Sequence, residues 1–245
     1  MGMDMPVAGI RPRFGAPPAA DRRMTAIRQL RSPNCGPRRD NLLPRYVVLH
    51  YTAMPTAQDA IKRLCDAEAE VSSHYVICKS GEITQLVSEG LRAWHAGAGE
   101  WQGLQDINSR SIGIELDNDG QSPFTDALMN SLTWLLARIL AGWDIPPSHV
   151  IGHSDLAPGR KFDPGPFFDW PALERTGLAA AGGTTSAPLS ADAEQFRKLA
   201  QARGYTACVD DSDLLNAIRL RYRPTASGPL EAADFVPLCP TSPVT

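Results

Sequence analysis

The sequence predicts an α/β protein: a mixed central β-sheet flanked by helices, followed by a small C-terminal helical module. Two observations carry this. Short β-branched or apolar runs, "RYVVLHYT", "SHYVIC", "ITQLV", "SIGIEL" and "HVIGH", alternate with stretches of helical period. Beyond a flexible, uncharged stretch, "GLAAAGGTTSAPL", only short amphipathic helical patterns remain. These features divide the 245 residues into an irregular leader (1–39), an α/β domain (40–176), a linker (177–188) and a helical module (189–245).

The leader is rich in Pro and Arg and is expected to lie across the surface or stay partly disordered. "RYVVLHYT" is the first strand and runs into His50. "TAQDAIKRLCDAEAE" reads as a helix with Thr56 as N-cap and Ala60, Ile61, Leu64 and Cys65 on one buried face. A hairpin follows, "SHYVIC" and "ITQLV", turning between Lys79 and Glu82. Residues 91–108 form a long aromatic loop of the functional kind. "SIGIEL" is a short apolar strand interrupted by Gly113 and carrying Glu115. "TDALMNSLTWLLARILAGW" is the clearest helix, capped by Thr125, with Leu128, Leu132, Leu135 and Ile139 in one stripe. "HVIGH" then delivers His153 to the stretch "VIGHSDLAPGRKFDPGP", read as backbone too rich in Gly and Pro for helix or strand. "SADAEQFRKLAQARGY" and "DSDLLNAIRLRYRP" are the two helix candidates of the module.

Composition narrows the function. A formal charge of -3 argues against nucleic acid as a partner, and no window is apolar enough for a membrane span. The N-terminus lacks the apolar core of a secretory signal, so a cytoplasmic protein is expected; a signal missing from this chain start would instead place it in the periplasm or envelope. Five cysteines stand singly, without C-x-x-C spacing, which suggests reduced thiols and neither disulfide framework nor zinc knuckle. A monomer is expected.

His50 and His153 each end a strand, so both imidazoles could project from one sheet edge, where open α/β folds place their sites. Asp163 follows ten residues after His153, across a loop that Pro158, Gly159, Pro164 and Gly165 could fold back. Two neutral imidazoles and a carboxylate make a three-ligand zinc site with a fourth position for water. Such a site needs a base and a cation. Glu115 is the candidate base and Lys161 the candidate stabiliser of an oxyanion. Taken singly, each has a plainer reading: a hydrogen-bonded structural histidine, a salt-bridged edge glutamate, a solvated Arg160–Lys161 pair. Asp155 is an alternative ligand whose plainer role is to cap a turn. His149 is expected to be exposed.

The joint pattern says more. "VVLHYT", "SSHYVI", "AWHAG", "SIGIEL" and "GHSDLAPGRKFDPGP", in this order, resemble the zinc-dependent N-acetylmuramoyl-L-alanine amidases of the AmpD/AmiD type, relatives of phage lysozyme-type amidases and peptidoglycan recognition proteins. The resemblance covers roughly residues 40–172. It implies zinc held by His50, His153 and Asp163, with Glu115 and Lys161 catalytic. The implied reaction is hydrolysis of the amide between N-acetylmuramic acid, or its 1,6-anhydro form, and L-alanine of the stem peptide, in peptidoglycan turnover or muropeptide recycling. His95 and Trp94 would line the substrate groove, while His74 reads as a structural or supporting residue. The C-terminal module faintly resembles a peptidoglycan-binding domain; its plainer role is to cover an apolar patch of the catalytic domain. The rival functions are a non-catalytic muropeptide recognition protein and a zinc peptidase.

Overall fold

The computed structural model describes residues 27–184 and 191–239. The first 26 residues of the expected leader, residues 185–188 of the linker and the two ends of the C-terminal module lie outside the described residues.

In chain order the elements are β1 (Arg28–Gln29), β2 (Cys35–Pro37), β3 (Tyr46–Tyr51), α1 (Ala57–Leu64), β4 (Tyr75–Ile77), β5 (Ile83–Gln85), β6 (Leu91–Ala93), α2 (Ile107–Arg110), β7 (Ser111–Leu116), α3 (Asp126–Trp143), β8 (Val150–Gly152), α4 (His153–Leu156), α5 (Trp170–Arg175), α6 (Ala193–Arg203) and α7 (Asp211–Tyr222). Six strands form one mixed sheet in the order β1-β5-β4-β7-β3-β8, and β2 pairs with β6 in a separate two-stranded ribbon. β3 runs parallel to both β7 and β8, while β4 and β5 form the antiparallel hairpin.

Strand period assigns the faces. Val47 and Leu49 of β3 and Ile112, Ile114 and Leu116 of β7 point to one side, where α3 lays down Leu128, Leu132, Leu135, Leu136 and Ile139. Tyr46 and Val48 point to the other side, against Phe196, Ala200, Tyr205, Leu214 and Ile218 of the C-terminal module. The central strands are therefore buried on both faces, which explains their near-continuous apolar runs. The module shares a core with the α/β domain. Fully burying a side chain such as Phe196 or Phe235 contributes about 1.5–3 kcal/mol, so this packing is substantial.

Four sequence expectations are corrected. Residues 28–29 and 35–37, assigned to an irregular leader, are strands β1 and β2, and Arg38 is buried with its guanidinium donating to the carbonyls of Glu89 and Ser111. Thr56 caps α1 as expected, but the helix stops at Leu64: the Asp66 carboxylate takes the Glu68 N–H and starts a separate 3-10 turn. The 91–108 stretch contains β6 and α2. His153 opens a one-turn helix, because the Asp155 carboxylate accepts the Gly152 N–H and closes that turn.

Asp234, fully buried in the module, receives Arg219 at 2.6 and 2.9 Å and also Arg223. Burial alone would raise its pKa, but hydrogen bonds from Arg219, the Glu231 N–H and Arg223 hold it below the usual carboxylate range. A depressed pKa means stability that is present above the unfolded value of about 3.9 and lost as pH falls through the folded one. We therefore expect Asp234→Ala, which leaves the Arg219 guanidinium buried without its carboxylate, to cost about 3–5 kcal/mol at neutral pH. Denaturant unfolding across pH should show the wild-type advantage shrinking in acid; a gap independent of pH would refute the assignment.

Candidate metal centre and active-site cleft

Because β3, β7 and β8 are parallel, their C-terminal ends share one sheet edge. His50 lies opposite Glu115 in the β3–β7 register, and Leu49 lies opposite Gly152, one residue before His153. Asp163 is returned to this edge by the loop that follows α4. Gly159, with φ of 72°, makes the bend, and the Ser154 N–H donates to the Asp163 carbonyl at 2.9 Å. The Gly- and Pro-rich stretch thus fixes two candidate ligands, His153 and Asp163, in one hydrogen-bonded loop.

Three atoms converge there. His50 Nδ1 is 2.8 Å and His153 Nδ1 is 3.0 Å from Asp163 Oδ2, and the two nitrogens are 3.0 Å apart. Zinc bonds of about 2.0–2.1 Å at tetrahedral angles would separate their donors by roughly 3.3 Å, close to this triangle. The surrounding hydrogen bonds assign the tautomers. His153 Nε2 is 2.8 Å from the Ala96 carbonyl and must donate, leaving Nδ1 with a lone pair. On His50 the assignment comes through a relay. The Ser111 hydroxyl donates to the Ile107 carbonyl at 2.6 Å, so it accepts from His95 Nε2–H at 3.2 Å. His95 Nδ1 is then an acceptor for His50 Nε2–H at 3.0 Å. Both imidazoles therefore present Nδ1 lone pairs toward a carboxylate oxygen. Three electron-rich atoms at this distance repel unless a cation lies among them, and the donor set fits a metal ion. Among the described residues, His50, His153 and Asp163 are the group that could hold one.

The electrostatics agree. Burial, reinforced by the adjacent His153, pushes His50 down to about 4, so it is neutral at pH 7 as a ligand must be. Glu115 is pushed well above the ordinary range by burial and by the Asp163 charge, with Lys161 opposing.

Around this triangle lies a cleft of about 460 Å³ lined by Glu115, Lys161, Trp94 and His95, together with Arg63 and Phe162. The structure thus brings all seven sequence-selected residues to one place. His95 has a second contact beyond the groove: it supports His50. Its ring lies on β7 at Gly113, where an added Cβ would come within 2.5–2.7 Å of the ring atoms. The glycine that interrupts "SIGIEL" makes room for this histidine. Gly113→Ala should displace His95, deprive His50 of its outer partner and weaken divalent-metal affinity about 10- to 100-fold. Chelator competition measures this, and unchanged affinity in a folded variant would contradict it.

His74 lies behind His95, accepting the Gly113 N–H through Nδ1 and donating from Nε2 to the Leu91 carbonyl, a supporting position. Burial and the nearby Arg38 push it down to about 3. His149, expected to be exposed, packs on the Tyr46 ring at 4.8 Å. From sequence, Arg160 offers itself only as half of a solvated pair. Its Nη2 donates to the carbonyls of Ala96 and Ala98, pinning the loop that carries His95. The adjoining "GRK" gave no sign of this, since the contact joins segments sixty residues apart.

An α/β enzyme with a three-ligand candidate metal centre at the C-terminal edge of its sheet is the class that this fold and site define. The model of the N-acetylmuramoyl-L-alanine amidase family matches residues 39–166, just over half of the chain, and the chain belongs to that family. It is 35% identical over 165 residues to the 1,6-anhydro-N-acetylmuramyl-L-alanine amidase AmpD of Haemophilus influenzae, a match covering 60% of this chain and 90% of that protein. It is 33% identical over 213 residues to the N-acetylmuramoyl-L-alanine amidase AmiD of Escherichia coli, covering 74% of this chain and 75% of the relative. Among solved structures, AmiD from E. coli in complex with the substrate anhydro-N-acetylmuramic acid-L-Ala-D-gamma-Glu-L-Lys superposes with a TM-score of 0.73 at 31% identity, over 80% of this chain and 87% of that one. AmpDh3 from Pseudomonas aeruginosa gives 0.71 at 28% identity over 92% and 96% of the two chains, so the likeness extends into the C-terminal module.

Proposed function

We propose that the chain is a zinc-dependent amidase that hydrolyses the bond between the lactyl carbonyl of N-acetylmuramic acid, or its 1,6-anhydro form, and the L-alanine of the stem peptide. The observation that carries the metal is the pair of Nδ1 lone pairs, fixed by outer hydrogen bonds, that face the Asp163 carboxylate. Zinc suits a site of two imidazoles and one carboxylate, and it would supply Lewis acidity toward a carbonyl and toward water.

The chain's own residues do the rest. The Lys161 ammonium holds the charge that develops on the carbonyl oxygen as the tetrahedral species forms. Glu115, opposite His50 in the sheet, takes the proton of the attacking water and passes it to the alanine nitrogen as the C–N bond breaks. Trp94 and His95 line the wall of the cleft, where the sugar and lactyl group would lie. The E. coli AmiD ligand has a γ-linked glutamyl residue, and such a linkage leaves its α-carboxylate free. Arg63 on the cleft of this chain gives that class of ligand a cation to meet. A role in muropeptide recycling in a reducing, cytoplasmic compartment is consistent with free thiols at Cys35, Cys65, Cys78, Cys208 and Cys239.

Incubating the zinc-loaded enzyme with an anhydromuramyl peptide and with the same stem peptide lacking the sugar, then resolving products by mass, tests the reading. We expect free stem peptide from the first and no cleavage of the second. Cleavage of both would mark a peptidase, and binding without cleavage a recognition protein.

A further inference from the structure

The turn that carries His153 is held from a distant part of the chain. Asp155, two residues after His153 and fully buried, is the hub. Its Oδ2 accepts the Gly152 N–H at 2.7 Å and Arg221 Nη1 at 2.8 Å, and its Oδ1 accepts the Tyr205 hydroxyl at 2.7 Å. Arg221 lies on α7 and Tyr205 just after α6, so both partners belong to the C-terminal module. The same guanidinium donates to the Val150 carbonyl at 3.3 Å through Nη1 and Nη2. It also sits 4.0 Å from the centre of the Trp170 ring, on the segment that follows Asp163. All three side chains are buried: Asp155 is 0%, Tyr205 2% and Arg221 6% exposed.

One cation therefore touches the strand before His153, the carboxylate that closes its turn, and the helix after Asp163. That turn also holds the hook for the second ligand, since the Ser154 N–H binds the Asp163 carbonyl. A displacement of α4 would shift His153 and Asp163 together, away from His50, which is fixed independently on β3. Metal affinity depends on outer partners of this kind, typically by 10- to 100-fold.

We propose that the C-terminal module is part of the support of the metal centre, with Arg221 and Tyr205 as positioning residues that act through Asp155 to keep His153 and Asp163 aligned with His50. The inference rests on the zinc reading above and extends it to residues that touch neither ion nor substrate. It assigns the module a role in the geometry of every catalytic cycle, separate from any affinity for the cell wall.

The test compares full-length wild type with Arg221→Met, Arg221→Lys and Tyr205→Phe. Zinc affinity is read by competition with a chromophoric chelator, kcat and KM on an anhydromuramyl peptide, and thermal unfolding of the zinc-free proteins. We expect Arg221→Met to weaken zinc binding at least about tenfold and to lower kcat, with KM within about twofold of wild type. Arg221→Lys, which keeps the charge but not the planar fork, should recover part of the loss. Tyr205→Phe keeps the ring and should lose less, which preserves the test if Arg221→Met does not fold. Wild-type zinc affinity and kcat in folded Arg221→Met or Tyr205→Phe would overturn the inference, as would a loss of thermal stability with no change in zinc affinity. A wild-type protein that bound no zinc or released no peptide would instead refute the functional reading, so the two failures are distinguishable.

Discussion

Glu115→Gln is expected to lower kcat by roughly 10²- to 10⁴-fold, the range ascribed to a positioned acid–base group. Zinc content and KM should stay close to wild type. The substitution is isosteric and Glu115 is not among the converging ligand atoms, so neither the metal triangle nor the cleft wall need change. On the proposed mechanism, what it removes is proton transfer in both directions, from the attacking water and to the leaving nitrogen. The amide cannot take up a proton at neutral pH, and the Lys161 ammonium on the same cleft has no lone pair to offer. Steady-state release of free stem peptide gives kcat, and calorimetric titration with substrate gives binding. A variant that loses affinity for substrate while keeping kcat would show Glu115 to be a binding residue and would reassign the base.

His153→Ala should remove both metal binding and turnover. Of the three donors only His50 Nδ1 and Asp163 Oδ2 would remain, and the Ala96 carbonyl would lose the N–H that orients the missing ring. The readout need not involve substrate. A ligand that binds only the native state stabilises it by about 4.1 kcal/mol at a thousandfold excess over its dissociation constant. Titrating zinc into the wild-type protein during thermal unfolding should therefore raise the midpoint progressively, and the same titration should leave His153→Ala unmoved. An equal response in the two proteins would place the ion elsewhere. Removing zinc from the wild type with a chelator and adding it back should abolish and restore peptide release on the same preparation.

Much of this candidate site is legible in the sequence because its polar groups end or follow strands. A strand that runs into a histidine, as "VVLHYT" does, advertises a side chain at a sheet edge, and a loop built on Gly159 and Pro164 advertises a fixed path for Asp163. The elements with strong apolar patterns, the stripe of α3 and the continuous run of β3 above all, follow them closely. What stayed hidden depends on contacts between segments far apart in the chain. β1 is two residues long and exists only because β5 offers a free edge to Arg28 and Gln29. Arg160, Tyr205 and Arg221 look like ordinary residues of loops and helices until the fold sets Arg160 on the Ala96 and Ala98 carbonyls and buries Tyr205 and Arg221 against Asp155. In the sequence Gly113 is an interruption of its strand, and its reason, the ring of His95, comes from eighteen residues earlier. The module's packing was likewise a question of which apolar face meets which, and period alone does not choose partners.

The side-by-side register of β3 and β7 has one more implication. Neighbouring strands are spaced about 4.8 Å apart by their main-chain bonding, so the separation of His50 from Glu115 is dictated by backbone and is indifferent to how the rim of the cleft is decorated. Selection, or a protein engineer, could thus rewrite Trp94 or the exposed Phe162, with His95 kept in place, to favour a different glycan or peptide while the hydrolytic apparatus stays intact.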